Sequence, residues 1–140
     1  MECPLCDTTR DDIVWQDGLC RVILVADPDY PGYCRVVWRE HVAEMSDLDT
    51  ASRHHFMDVV FATEQALHDS IRPDKINLAS LGNMVPHLHW HVIARFRDDR
   101  HFPESVWGRE QRPGQPHPVP NRADLAERIA AGLAKASMNH

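Results

Sequence analysis

No run in this 140-residue chain approaches the ~20 consecutive apolar residues that a membrane-crossing helix requires, so no membrane partner is expected. Lysine is scarce, with only Lys75 and Lys135 present, and the formal net charge is −6. That balance removes any global pull toward nucleic acid, and phosphate affinity has to be local. Met1-Glu2-Cys3-Pro4 has neither the basic start nor the apolar stretch of an export signal, which predicts a cytoplasmic protein. Without export, the four cysteines read as thiols or metal ligands rather than disulfides. Internal repeats and low-complexity tracts are missing too. The length suits one domain that buries about two-thirds of the surface its unfolded chain exposes.

Histidine, by contrast, is abundant, with ten in the chain. Three of them alternate in Val85-Pro86-His87-Leu88-His89-Trp90-His91-Val92. In an extended chain successive side chains point to opposite faces, so His87, His89 and His91 line one side and Leu88, Trp90 and Val92 the other. A solvated strand face accepts any polar residue, so an all-imidazole face asks for a chemical reason. A metal clamp, a pH-sensitive patch and nucleophilic or acid-base catalysis can each use such an array. Neighbours on one strand face lie about 7 Å apart, too far for all three to share one ion. His54, His55, His68 and His140 read as surface or satisfied core residues.

Cys3-Pro4-Leu5-Cys6 has the spacing of half a tetrahedral zinc site. The bland alternative is a pair of ordinary cysteines. If zinc binds, His41 and His87 are the best placed to complete it. Ile13 to Trp15 and Leu19 to Ala26 read as strands joined at Asp17-Gly18, a dipeptide that favours a type I′ turn. Residues 27–32 then form a Pro/Gly-rich loop before a strand from Tyr33 to Trp38. Ser46 is a capping-type start for a long helix bearing Phe56, Val60, Leu67 and Ile71 as its apolar stripe, and Pro73 stops it. Lys75 to Leu81 and Val85 to Phe96 read as two more strands, turned at Gly82-Asn83. Residues 98–120 form a proline-rich lid or partner-contacting loop with Trp107 as its apolar anchor. Asn121 caps a last helix with Leu125, Ile129 and Leu133 on one face. The sum is an α+β domain over residues 1–140, its core at about 3–107, with a largely antiparallel five-stranded sheet.

His-x-His-x-His closing an apolar strand, with an Asn and a Gly upstream, resembles the histidine-triad (HIT) family of nucleotide hydrolases and transferases. The resemblance implies that His89, the middle histidine, attacks the α-phosphorus of a purine nucleotide and forms a nucleotidyl-histidine intermediate. His91 and His87 would orient it or bind the transferred phosphate. It implies that Asp27 holds the ribose hydroxyls, a role that competes with a plain turn-forming Asp before Pro. Asn77 and Asn83 match amides that contact phosphate in the family. Some bacterial members carry a similar Cys pair with zinc completed by histidines, and members of this branch usually form homodimers through the long helix and an edge strand. Two departures stand out: Cys34, where many members have a further histidine, and Met84, where a Ser is common. The expected activity is that of a nucleotide phosphoramidase or dinucleoside polyphosphate hydrolase. The alternative is a non-catalytic module that binds nucleotide or zinc.

Overall fold

The computed structural model describes residues 3–138. Met1, Glu2, Asn139 and His140 lie outside the described residues, and the expectation for His140 with them. Strands β1 (Ile13–Gln16), β2 (Cys20–Leu24) and β3 (Tyr33–Trp38) precede helix α1 (Thr50–Ile71); β4 (Lys75–Ala79), β5 (His89–Arg95) and helix α2 (Arg122–Ser137) follow. They form one sheet in the order β1-β2-β3-β5-β4, and each neighbouring pair is antiparallel. This is the expected α+β architecture. No described helix is long and apolar enough to cross a membrane.

Alternation along β3 and β5 divides the sheet into two unlike faces. Cys34, Val36, Trp38 and Val92 point to one side and pack beneath Phe56, Val59, Val60 and Leu67 of α1 and Leu125 and Ile129 of α2. Burying each such side chain contributes roughly 1.5–3 kcal/mol, so this face carries most of the core. Both helices end for local reasons. The Asp49 carboxylate accepts from Ser52 N–H at the start of α1, and Arg72, in left-handed conformation, ends it before Pro73. At α2 the Asn121 side chain accepts from Asp124 N–H. No described helix lies over the second sheet face. Leu5 from the N-terminal segment and Val85 from the β4–β5 loop pack on Ile23 and Val37, while Val106 packs on Tyr33 and Ile93. Between these patches the sheet surface stays open as a cleft.

The larger differences from expectation are two boundaries and one turn type. The long helix starts at Thr50, because Ser46 falls in a separate 3₁₀ turn, Met45–Asp47, closed by a reciprocal Glu44/Asp47 box. The β1–β2 turn is not type I′, since Gly18 lacks the positive φ that type needs. Instead the Asp17 carboxylate accepts from Leu19 and Cys20 N–H, at 2.8 and 2.9 Å, and sets the turn itself. The triad strand begins at His89 rather than at Val85. Residues 80–88 are loop, with Gly82 at φ 76°, a conformation that favours glycine.

Candidate active site

The open face of the sheet presents a row of side chains fixed by strand register. Val37 on β3 sits opposite His89, Arg35 opposite His91 and Tyr33 opposite Ile93. A cleft of about 350 Å³ lies above, lined by Arg35, His89, His91 and Trp107 together with Pro4, Leu5 and the loop 81–85. His89 and His91 are both nearly buried, and their rings meet edge to face at 4.9 Å. Trp107 meets His91 in the same way, also at 4.9 Å.

The tautomer of His89 follows from its surroundings. Its Nδ1 lies 2.6 Å from the His87 carbonyl oxygen, and a carbonyl only accepts, so Nδ1 carries the proton. Nε2 is left with its lone pair. Burial first, with the Arg35 guanidinium adding to it, holds the pKa of His89 below the usual histidine range despite the hydrogen bond to His87. The ring is therefore neutral near pH 7 and its Nε2 is a competent nucleophile. His91 is lowered further, to about 4, by burial and then by His89 and Arg35. The Tyr33 hydroxyl lies 2.8 Å from His91 Nδ1.

His87 turns away from this cleft. It precedes the strand and is fully buried, and its Nε2–H donates to the Trp38 carbonyl oxygen at 2.6 Å. Its Nδ1 then faces Cys3 Sγ and Cys6 Sγ, each at 3.4 Å, and His41 Nδ1 at 3.1 Å. Cys6 Sγ and His41 Nδ1 are also 3.4 Å apart. Ligands around a tetrahedral zinc, at 2.0–2.3 Å from the metal, are separated by roughly 3.3–3.8 Å. The four side chains fit such an ion, and the carbonyl that fixes His87 is the usual kind of supporting contact for a ligating histidine. A second cluster of Asp17, Cys20 and His55 fits a metal poorly. Burial pushes the Cys20 thiol up, and Asp17 already serves the turn amides and His55.

Residues 8–98 match the HIT domain family. The chain belongs to the histidine-triad family. A histidine triad protein of Bradyrhizobium japonicum is 31% identical, aligning over 88% of this chain and 87% of its own with a TM-score of 0.65. A second, from Sinorhizobium meliloti, is 28% identical over 89% and 92% of the two chains, with a TM-score of 0.69. A Zn-bound histidine triad family protein of Mycobacterium smegmatis, at 19% identity, shares the fold over 94% and 90% with a TM-score of 0.58. No curated protein matches the chain. Membership of the HIT family gives the protein a nucleotide-handling role, as hydrolase or transferase.

The expected site residues therefore divide within the HIT fold. His89, His91 and Asn83 line the cleft, while His87 joins Cys3, Cys6 and His41. Asn77 lies beside Ile93 on the same sheet face, but its Oδ1 accepts from Arg95 Nη1 at 2.7 Å. Asp27 accepts from Asp29 N–H at 2.9 Å and borders a separate groove with Pro28, Pro116 and His117. Sequence reasoning passed over Arg35 and Tyr33. Their signal was present, since Tyr33, Arg35 and Val37 alternate with the core residues Cys34, Val36 and Trp38, which puts a lone arginine on the face that β5 fills with histidine.

Proposed function

We propose that this HIT protein hydrolyses a purine nucleotide at the α-phosphate, its substrate being an AMP-linked phosphoramidate or a dinucleoside polyphosphate. The observation that carries the reading is the His89 Nδ1–H bond to the His87 carbonyl, which leaves Nε2 as the free nitrogen of a neutral ring lining the cleft. In the first step Nε2 attacks the α-phosphorus, a P–N bond forms, and the bond to the amine or phosphate leaving group breaks. A departing amine takes up a proton from solvent; water then attacks the nucleotidyl-histidine, loses a proton to solvent, releases the nucleoside monophosphate and returns the electron pair to Nε2.

Neighbouring residues support this division of labour. With the Tyr33 hydroxyl donating to His91 Nδ1, the His91 proton sits on Nε2 and can donate to a non-bridging oxygen. Asn83, in the loop that borders the cleft, is the amide placed to contact phosphate. Asp27 keeps a second carboxylate oxygen to accept from the ribose hydroxyls, and Asn77, whose Oδ1 accepts from Arg95 Nη1, has its amide N–H left to offer the phosphate. Cys3, Cys6, His41 and His87 would hold a zinc ion. Four protein ligands leave it no open position, so its contribution is structural.

The test is mass spectrometry of protein quenched during turnover of an adenosine phosphoramidate. An adduct of one adenylyl group on His89 is expected. His89→Ala should abolish adduct and turnover while AMP affinity stays within a few-fold. Substantial hydrolysis by folded His89→Ala protein would remove the covalent mechanism.

A further inference from the structure

A guanidinium inside a cleft needs a counter-charge, and Arg35 has none among the described residues. It sits mid-strand in β3 between Tyr33 and Val37, with Ile23 of β2 on one side and His91 of β5 on the other. None of these is acidic. The ion pairs among the described residues are made by other arginines and by histidines, with the nearby Arg21 taken by Asp11 and Arg95 by Asp99. Arg35 Nε is itself buried without a hydrogen-bond partner among the described residues. Stacking on the Tyr33 ring, with the guanidinium carbon 5.6 Å from its centroid, accounts for the orientation of the group but not for its unsatisfied N–H. A buried donor left unpaired is costly, more so on a charged group. That cost is withdrawn if an anion enters the cleft.

We propose that Arg35 binds the phosphate of the nucleotide, its guanidinium gripping oxygen atoms of the group that His89 attacks. The placement suits this task, because Arg35 lies directly across from His91 and lines the same cleft as His89. The planar fork of an arginine grips two phosphate oxygens at once, which an ammonium does not. Arginine also stays protonated throughout, so it can neutralise charge developing on the phosphoryl oxygens but cannot supply a proton to a departing amine. The inference rests on the hydrolase reading for its substrate, yet it is separable from it by experiment.

The experiment compares equilibrium binding of AMP and of adenosine to the full-length protein and its Arg35→Leu and Arg35→Lys variants. Loss of a charge-assisted contact should weaken AMP about ten- to a hundred-fold in Arg35→Leu, leave adenosine unchanged, and give an intermediate loss in Arg35→Lys. Should the leucine variant not fold, the lysine variant decides, because it keeps the charge and loses only the fork. In the wild-type protein the Arg35 Nε–H resonance should shift on adding AMP or inorganic phosphate and not on adding adenosine. Unchanged AMP affinity in both variants, parallel changes for AMP and adenosine, or a resonance indifferent to phosphate would each overturn the proposal. A His89 adduct in protein whose AMP binding ignores Arg35 sinks this inference alone. Arg35-dependent AMP binding without any adduct sinks the hydrolase reading and leaves Arg35 as a phosphate-binding residue.

Discussion

His87 serves two neighbours at once: its ring Nδ1 faces Cys3, Cys6 and His41, and its backbone carbonyl holds the proton of His89. Whatever fixes the ring also steadies the carbonyl, so a metal at the Cys/His cluster would hold His89 in register. Elemental analysis of protein purified without added metal should give about one zinc per chain. Cys3→Ser combined with Cys6→Ser should lose the zinc, lower the melting temperature and reduce turnover. Metal-free protein of unchanged stability would end the zinc assignment. The depressed histidines predict a pH effect whose sign follows from linkage. His91 falls from 6.5 to about 4 on folding, so between those values the unfolded chain binds more protons and stability declines as pH drops. Urea midpoints at pH 7 and pH 5 should differ less for His91→Gln than for the wild type. An equal acid sensitivity in the two proteins would count against a buried neutral His91.

The loop after β5 is ordered by one carboxylate. Asp99 takes Arg95 in a two-oxygen ion pair, at 2.8 and 3.0 Å, and accepts from the N–H groups of Phe96, His101 and Phe102. Arg95 then donates to the Glu104 carbonyl at 2.7 Å, three residues before Trp107. The segment that places Trp107 on His91 thus hangs on a buried pair whose side chains are each only 2% exposed. Removing one partner of such a pair costs about 3–5 kcal/mol. Asp99→Ala should lose stability of that order in chemical unfolding, with Trp107 fluorescence turning more solvent-exposed. A loss below ~1 kcal/mol would show that the loop is held elsewhere. Nothing in Asp98-Asp99-Arg100 foretells this hub, because aspartates in a polar loop read as solvated. Boundaries that depend on adjacent residues were legible: Pro73 and Asn121 placed the end of α1 and the start of α2. Those decided by distant partners were not. The start of β5 at His89 depends on His87 turning toward Cys3 and Cys6, more than eighty residues away in the chain. For Arg35 the alternation of β3 gives the face, but its place across from His91 is set only by the register.

At the scale of the whole molecule, the two edges of the sheet differ. The β1 edge is flanked by α2, while β4 forms the other edge of the sheet, so its outer backbone groups face no described strand and can template pairing with another chain. Beside it, Glu64, Gln65 and His68 of α1 share a groove with Lys75 and Ile76 of β4. Phe61 falls on the same helical face, at i with respect to i+3, i+4 and i+7, and is 52% exposed. Helix and edge strand therefore share a groove, with an exposed aromatic ring on the same face of the helix, which a C2 dimer would cover on both copies at once. Light scattering at micromolar concentration should report about twice the 16.1 kDa chain mass, and Phe61→Glu should return it to the monomer value without altering the fold seen by circular dichroism. Trp107, 51% exposed at the cleft mouth, tests whether the partner reaches the site: if Trp107→Ala weakens association as well as turnover, the cleft is completed by the second chain. A wild-type protein that stays monomeric at every accessible concentration would refute the dimer and leave the chemistry of His89 untouched.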